Sequence, residues 1–541
     1  MKSAEARWLF AFSAILVAIT TLPYLAGYFS ASADWRFTGF VFGVEDGNSY
    51  IAKMLLGAKG SWLFRTPYTL EPQGGVLAFV PYMLLGKLAG GEAVHEQLVA
   101  LYHAFRVVSI PLVVVATYRF ASLFLAEPAW RRWATLLATL GGGAGWALLA
   151  LGKVRLWGDL PLEFYSPESF GFLSIFGLPH LALARAMMLF GLEHYLRSMS
   201  DGTMSWKAGA WFLGLALVHP LALISVYAVL GLHLGVVLLL PSHSDDRRRW
   251  GLVRVKAVAL TILPSACLLA LTALRLATDP FLQVWAAQNQ IRSPHPLHYL
   301  LAYGAVLIPA ALGALGQARL AAGGYRLLPL VWAGAVPLLA YAPLAIQRRL
   351  PDGAWVALAI MAAAGLAGRR PRRLAAALPT LLLAYSMLSS LLLLTGGLQV
   401  SLNPAEPAFR PADEVRLFER LAQDADQGSP VIASYATGNA LPAWAAVSVA
   451  AGLGPESAHL DDWLAKIAHF FASETPDRER AQFLRSEGFR FVFAGPHERE
   501  LGAWEPASAS FLSLRAQAGE YALYAVVEPH ARIEPAAGSG R

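Results

Sequence analysis

Long apolar runs broken by short polar connections set the plan of this chain. Eleven segments are each read as a helix crossing ~30 Å of hydrocarbon, the longer ones reaching the ~20 residues this needs. They lie near 8–29, 98–125, 133–151, 172–197, 206–220, 221–240, 253–275, 298–318, 327–346, 354–368 and 374–397. Helices rather than a barrel satisfy the backbone inside them. A shorter apolar stretch, 76–90, is flanked by glycine and reads as an interfacial or re-entrant piece within a first external loop of about 30–97. From about residue 400 the pattern changes to a charged, amphipathic one. In that region SPVIASYATGN predicts a short strand running into a Gly-Asn turn. DRERAQFLRSEGFRFVFAGP predicts a helix stopped at Gly488 before a strand, and EYALYAVVEP a last strand. The expected architecture is a polytopic α-helical membrane domain of about eleven transmembrane helices over 1–399. A soluble α/β domain over 400–541 follows, its tail from His530 frayed.

Composition agrees. Apolar residues make up 56% of the chain and charged residues 15%, which excludes an ordinary soluble protein. The net charge of +7 resides in short clusters between apolar runs, so topology explains it better than nucleic-acid binding does. The single cysteine, Cys267, is inside an apolar run and leaves neither an intrachain disulfide nor a cysteine metal cluster. Ala31-Ser32-Ala33 fits a signal-peptidase site, but the run before it is long and is read as a retained first helix.

With the N-terminus cytoplasmic, the basic clusters fall in cytoplasmic loops. These are Arg131-Arg132, Arg247-Arg248-Arg249 with Arg254 and Lys256, Arg319 with Arg326, and Arg369-Arg370 with Arg372-Arg373. The opposite loops collect the acids Glu45, Asp46, Asp159, Glu163, Glu168, Asp279 and Asp352. An odd number of spans places the C-terminal domain on that acidic, extracytoplasmic side.

Ionisable groups at a membrane boundary are costly unless paired, hydrated or used. Glu45-Asp46 follows the first span. A carboxylate in a partly dry cleft has a raised pKa that a nearby cation brings back to a range useful for a base; the alternative is a solvated acidic helix start. A second group holds Asp159, Glu163, Glu168, His180 and Arg185. The acids would suit Mg²⁺ or Mn²⁺ beside Asp46, although no spacing defines such a site, and Arg185 would serve the site or act as a structural carbonyl clamp. The third is Arg348-Arg349, whose paired guanidiniums suit a phosphate or snorkel to headgroups. His103 and Arg106, three residues apart on one helix face, would join that anion site. His219-Pro220 reads as a kink with a satisfied imidazole.

Asp46 with Tyr50 four positions on resembles the acidic motif of the GT-C-fold glycosyltransferases, the integral-membrane class of protein O-mannosyl-, aminoarabinose and oligosaccharyl-transferases. EDGNSYIAKMLLGAKGSWLFRTPYT, SPESFGFLSIFGLPHLALARAM, LVHPLALISVY, YAPLAIQRRLPDG and ASYATGNALPAWA together resemble large uncharacterised bacterial membrane proteins of that superfamily. Many relatives carry Asp-Glu at the motif, whereas here Glu45 precedes Asp46 and Gly47 follows, so either acid is a candidate base. The resemblance implies inverting transfer of a sugar from a polyprenyl-phosphate carrier to a lipid, glycan or protein acceptor at the outer face of a bacterial inner membrane. Asp46, with Glu45, would be catalytic. Arg348, Arg349, Arg106 and His103 would hold the donor phosphate, and Tyr50, Glu168, His180 and Arg185 would assist or bind acceptor. The rivals are a lipid-linked oligosaccharide ligase or polymerase, a flippase for a lipid-linked sugar, and a scaffold that has lost activity.

Overall fold

The eleven apolar segments all fold as helix in the computed structural model, which describes residues 3–199, 202–240, 247–320, 324–367 and 373–527. The helices of the first half are α1 (Ser3–Ser30), α2 (Val44–Ala58), α3 (Val80–Gly86), α4 (Val94–Ala121), α5 (Pro128–Leu140), α6 (Gly145–Ala150), α7 (Gly171–Gly177) and α8 (Pro179–Met199). Then come α9 (Trp206–Val218), α10 (Ala222–Leu239), α11 (Arg247–Thr278), α12 (Pro280–Gln288), α13 (Pro296–Leu320), α14 (Leu328–Ala340), α15 (Ala354–Ala367) and α16 (Arg373–Leu402). The basic residues Arg369, Arg370 and Arg372 and the tail from His530 lie outside the described residues.

Among the described residues, seven helices are long and apolar enough to cross a membrane: α1, α4, α10, α11, α13, α16 and the stretch ending in α15. The remaining four segments depart from uniform spans for identifiable reasons. Segment 133–151 is two pieces, because after Leu140 the run Gly141-Gly142-Gly143 leaves helical geometry and α6 restarts at Gly145. Segment 172–197 is also two: Leu178, held out of helical geometry by the ring of Pro179, separates α7 from α8. Helix α8 carries charge inside it, satisfied locally where Glu193 accepts from Arg119 at 2.8 Å and from Arg197 at 3.0 Å. Helices α9 and α14 are 13 residues each. The 76–90 stretch forms only α3, which crosses α2 where Gly57 and Gly86 let the backbones touch; a Cβ on either glycine would run into the facing carbonyl.

Helix α15 is the buried axis of the bundle, alanine-rich and covered throughout Ala354–Ala363. Its Gly365 meets α13 at Gly313, again backbone to backbone. One end of the bundle gathers Glu5, which accepts from Arg131 at 3.0 Å and Tyr118 at 2.7 Å. The other end carries the first loop and everything after α16.

That end is tied together by strands from opposite ends of the chain. β1 (Trp35–Phe37) pairs antiparallel with β2 (Phe409–Pro411). Beyond β2 come α17 (Ala412–Asp424), β3 (Pro430–Ile432), α18 (Tyr435–Ala440), β4 (Ser448–Val449), α19 (Leu460–Phe471) and α20 (Asp477–Ser486). β5 (Phe491–Ala494), α21 (Pro496–Leu501), β6 (Leu512–Ala518) and β7 (Tyr521–Val526) complete it. The sheet order is β4-β3-β5-β7-β6, with β3 parallel to β4 and β5, and β7 antiparallel to β5 and β6. The helix ending before Gly488 (φ 77) and the three strands read from the sequence are present. The Gly-Asn turn is not: Ser434 accepts from Thr437 N and caps a helix through Gly438 and Asn439.

The domain is seated on the bundle by packed polar contacts. His95 stacks on Trp444 at 3.4 Å, Asn48 donates to Asn439 at 2.8 Å, and Val449 N donates to Pro67 O at 2.8 Å. At its base Arg410 grips Glu414, and His497 Nε2 lies 2.6 Å from Glu406 Oε2. That contact raises the imidazole above its ordinary value and, with Arg410, lowers the Glu406 carboxyl. The sign follows from linkage. A histidine raised on folding contributes fully below its unfolded value, ~6.5, and less as pH climbs through the folded value. Thermal stability should therefore decline from pH 6 to pH 9, and His497→Gln should shrink the decline; a scan by nanoscale fluorimetry with equal slopes for both proteins would refute this.

Candidate active site

Helix α2 is preceded by Gly43, whose left-handed conformation (φ 54) turns the chain sharply, and no side chain caps the first turn. Glu45 and Asp46 occupy that turn, where free N–H groups and the helix dipole favour negative charge. Helical spacing sets Asp46, Tyr50 and Lys53 on one face.

Three other parts of the chain close on that face. The loop before α7 brings Glu168. The 3₁₀ turn Gln347–Arg349 brings Arg349, whose Nε is 3.1 Å from Glu168 Oε1. The C-terminal domain brings Glu456, whose Oε1 accepts from Lys53 Nζ at 2.7 Å while Oε2 accepts from Thr66 Oγ1 at 2.6 Å. Asp46 keeps contact with solvent at the open side but is walled by protein, and burial raises its carboxyl above the ordinary range. Lys53 and then Arg349 pull it back, and Glu456 and Glu168 push it up. Glu45 is raised too, by burial and then by Asp46, and points the other way, toward Tyr435 Oη at 3.4 Å.

An aromatic wall completes the cleft. Tyr50 stacks on Tyr82 at 4.7 Å, Tyr82 Oη is 2.7 Å from His180 Nδ1, and the His180 ring is 5.2 Å from Tyr50 and 6.1 Å from His219. His219 therefore belongs to this wall as well as ending α9.

The remaining candidates are placed differently. Arg185 is a clamp: Nη2 donates to the carbonyls of Pro167 and Glu168 and reaches Asp352 Oδ1 at 3.3 Å, while Gly353 N donates to Glu168 O at 2.9 Å. It fixes the Glu168 loop to the turn after Arg349, and its carbonyl-clamp reading is the one the contacts support. The arginine pair divides, for Arg348 stacks on Tyr165 at 4.4 Å while Arg349 faces Glu168. His103 and Arg106 do share a helix face, with Arg106 Nε donating to His103 Nδ1 at 3.4 Å, but they do not join the Arg348–Arg349 turn. Arg106 is buried against α1, donating to Thr20 at 3.0 Å and Thr21 at 2.8 Å, and His103 Nε2 is 2.9 Å from Gly39 O. Asp159, Glu163 and Glu168 do not converge either: Glu163 turns inward, accepting from Gly145 N at 2.6 Å and Ser389 Oγ at 3.2 Å. Among the described residues no three His, Cys, Asp or Glu side chains gather into a metal-binding group.

Sequence reasoning assigned no role to Lys53, Glu456, Asn439 or Tyr435. The signal for Lys53 was present as a lone cation one helical repeat after Asp46; its partner, 403 residues away, had none.

The helical bundle, with its first loop folded over one end, has the fold of the GT-C glycosyltransferases. Among solved structures of that fold, the Archaeoglobus fulgidus oligosaccharyltransferase AglB, in complex with an inhibitory peptide and a dolichol-phosphate, superposes with a TM-score of 0.53 at 13% identity, over 91% of this chain and 70% of that one. The arabinofuranosyltransferase AftD from Mycobacteria gives 0.56 at 14% identity, over 97% of this chain and 40% of that one. ArnT from Cupriavidus metallidurans, bound to undecaprenyl phosphate, gives 0.48 at 14% identity, over 96% and 99%. No protein-family model matches the sequence, and no curated protein matches it.

Proposed function

We propose that this membrane protein is an inverting glycosyltransferase that moves a sugar from a polyprenyl-phosphate carrier to an acceptor hydroxyl at the outer face of a bacterial inner membrane. The observation that carries the reading is the meeting of Asp46, Glu168 and Arg349 in one cleft at the end of the bundle covered by the C-terminal domain. The fold shared with AglB, solved with a dolichol-phosphate, supports the donor class. The basic clusters of the opposite loops support the orientation.

The acceptor O–H gives its proton to Asp46 as its oxygen attacks the anomeric carbon. The bond from that carbon to the carrier phosphate breaks with its electron pair on phosphate, and the configuration inverts. Arg349 meets the charge growing on the departing phosphate, where a fixed donor is most effective. Glu168, one oxygen held by Arg349, has among the described residues no hydrogen-bond donor for Oε2, which suits an acceptor hydroxyl. His180 and Tyr50 form the wall against which a sugar ring packs.

A divalent ion fits this donor set poorly. Of the carboxylates of the cleft, Glu456 is paired with Lys53, Glu168 with Arg349, and Asp46 is faced by both cations, while Glu163 is committed elsewhere. Transfer should therefore continue in excess EDTA; a loss restored by Mg²⁺ or Mn²⁺ would overturn this point. The reading itself is tested with purified protein in liposomes, supplied with labelled lipid-linked sugars extracted from bacterial membranes. Label should leave the polyprenyl phosphate with the native protein and stay on it with Asp46→Asn.

A further inference from the structure

Lys53 is costly to place where it is. It is 1% exposed, its ammonium 4.3 Å from the ring of Phe79, 5.4 Å from Phe64 and 5.7 Å from Tyr50. Such a charge persists only when paired, and a buried pair is seldom more stabilising than apolar packing of the same volume. Anchorage of the C-terminal domain does not require it, since the β1–β2 pairing, the His95–Trp444 stack and the Asn48–Asn439 bond already hold that domain. What sets Lys53 apart is its place on the face of α2 that carries Asp46 and Tyr50, together with a partner, Glu456, that only the C-terminal domain supplies.

We propose that Lys53 is a positioning residue for transfer: its ammonium is the counter-charge for the Asp46 carboxylate, and Glu456 of the seated C-terminal domain sets how much of that charge Asp46 feels. The inference rests on the reading of Asp46 as the base. It makes the C-terminal domain part of the proton-accepting machinery, acting through two side chains that need not touch substrate.

The groups around Asp46 come from every element packed on it. Helix α2 supplies Glu45, Tyr50 and Lys53, the loop before α7 Glu168, the 3₁₀ turn Arg349, the first loop Tyr68, α4 Tyr102, and the C-terminal domain Glu456 and Tyr435. Of the charges, Lys53 is the strongest holding the Asp46 carboxyl down against burial, Arg349 the next, and Glu456 acts in the opposite direction. The two members of one ion pair therefore pull the base in opposite senses.

The test reads the carboxyl itself. Full-length protein in liposomes is treated with dicyclohexylcarbodiimide, which adds to protonated carboxyls in apolar surroundings. Labelling of the α2 peptide is followed across pH by mass spectrometry, with fragmentation separating Glu45 from Asp46. Lys53→Met should raise the labelling midpoint of Asp46 by about one pH unit, as expected for a unit positive charge lost from the same helix face. Glu456→Gln should lower the midpoint, and Lys53→Arg should leave it near the native value. Should Lys53→Met fail to insert, Glu456→Gln, which keeps a neutral partner for the ammonium, decides by its downward shift alone. Midpoints that move together, or not at all, while Asp46→Asn remains inactive would overturn the inference and leave the base in place. Transfer surviving in Asp46→Asn would overturn both.

Discussion

Asp46→Asn should lower the rate of sugar transfer by about 10²–10⁴-fold, the range of a general base whose removal leaves binding intact. Asparagine keeps the shape and one acceptor oxygen, so the loss isolates the proton. Expression and insertion should be unchanged, because Asp46 keeps contact with solvent and takes no part in the buried Lys53–Glu456 pair. Glu45→Gln should retain most of the rate, since that side chain lies against Tyr435 and takes no part in the Glu168–Arg349 pair. Comparing the two variants under saturating donor resolves which of the adjacent acids is the base; equal losses would reject the assignment. The pH profile follows with its sign. The base works ionised, and burial raises its carboxyl, so activity should fall on the acid side at a pH above the ordinary aspartate value of ~3.9.

Arg349→Gln should cost about 10²–10³-fold in kcat, the scale for removing one fixed donor from a developing negative charge. Arg348→Gln should cost distinctly less, because its guanidinium is spent on the ring of Tyr165. The pair is thus expected to behave unequally despite adjacency, and single-turnover rates for the two variants would show it; matched losses would mean that the phosphate is held by both. Arg349→Gln also leaves Glu168 buried without its cation, a situation that costs roughly 3–5 kcal/mol in other proteins. The double variant with Glu168→Gln separates that instability from the catalytic loss.

What could be read in advance follows from the range over which each force acts. Hydrophobic runs are local, so all eleven helical segments were legible, and so was the acidic start of α2, whose helical spacing joins Asp46 to Tyr50. The triple glycine at 141–143 and Pro179 were visible too, yet apolar length outweighed them and two broken helices read as single spans. His103 and Arg106 show the limit of periodicity. Their shared face was correct, but nothing local revealed that Thr20 and Thr21 of α1 stand opposite it. Lys53 shows the same limit more sharply. Its meaning depends on a carboxylate in another domain, and pairing at that separation leaves no mark on local pattern.

The ribbon joining Trp35–Phe37 to Phe409–Pro411 has a bearing on biogenesis. The earliest-made loop acquires its final edge only after every intervening span has been threaded, when the last quarter of the polypeptide reaches the same side. Until then α2 exposes an ammonium whose mate has yet to be synthesised. A chain that stops before residue 456 would therefore leave Lys53 without the partner it has in the folded protein.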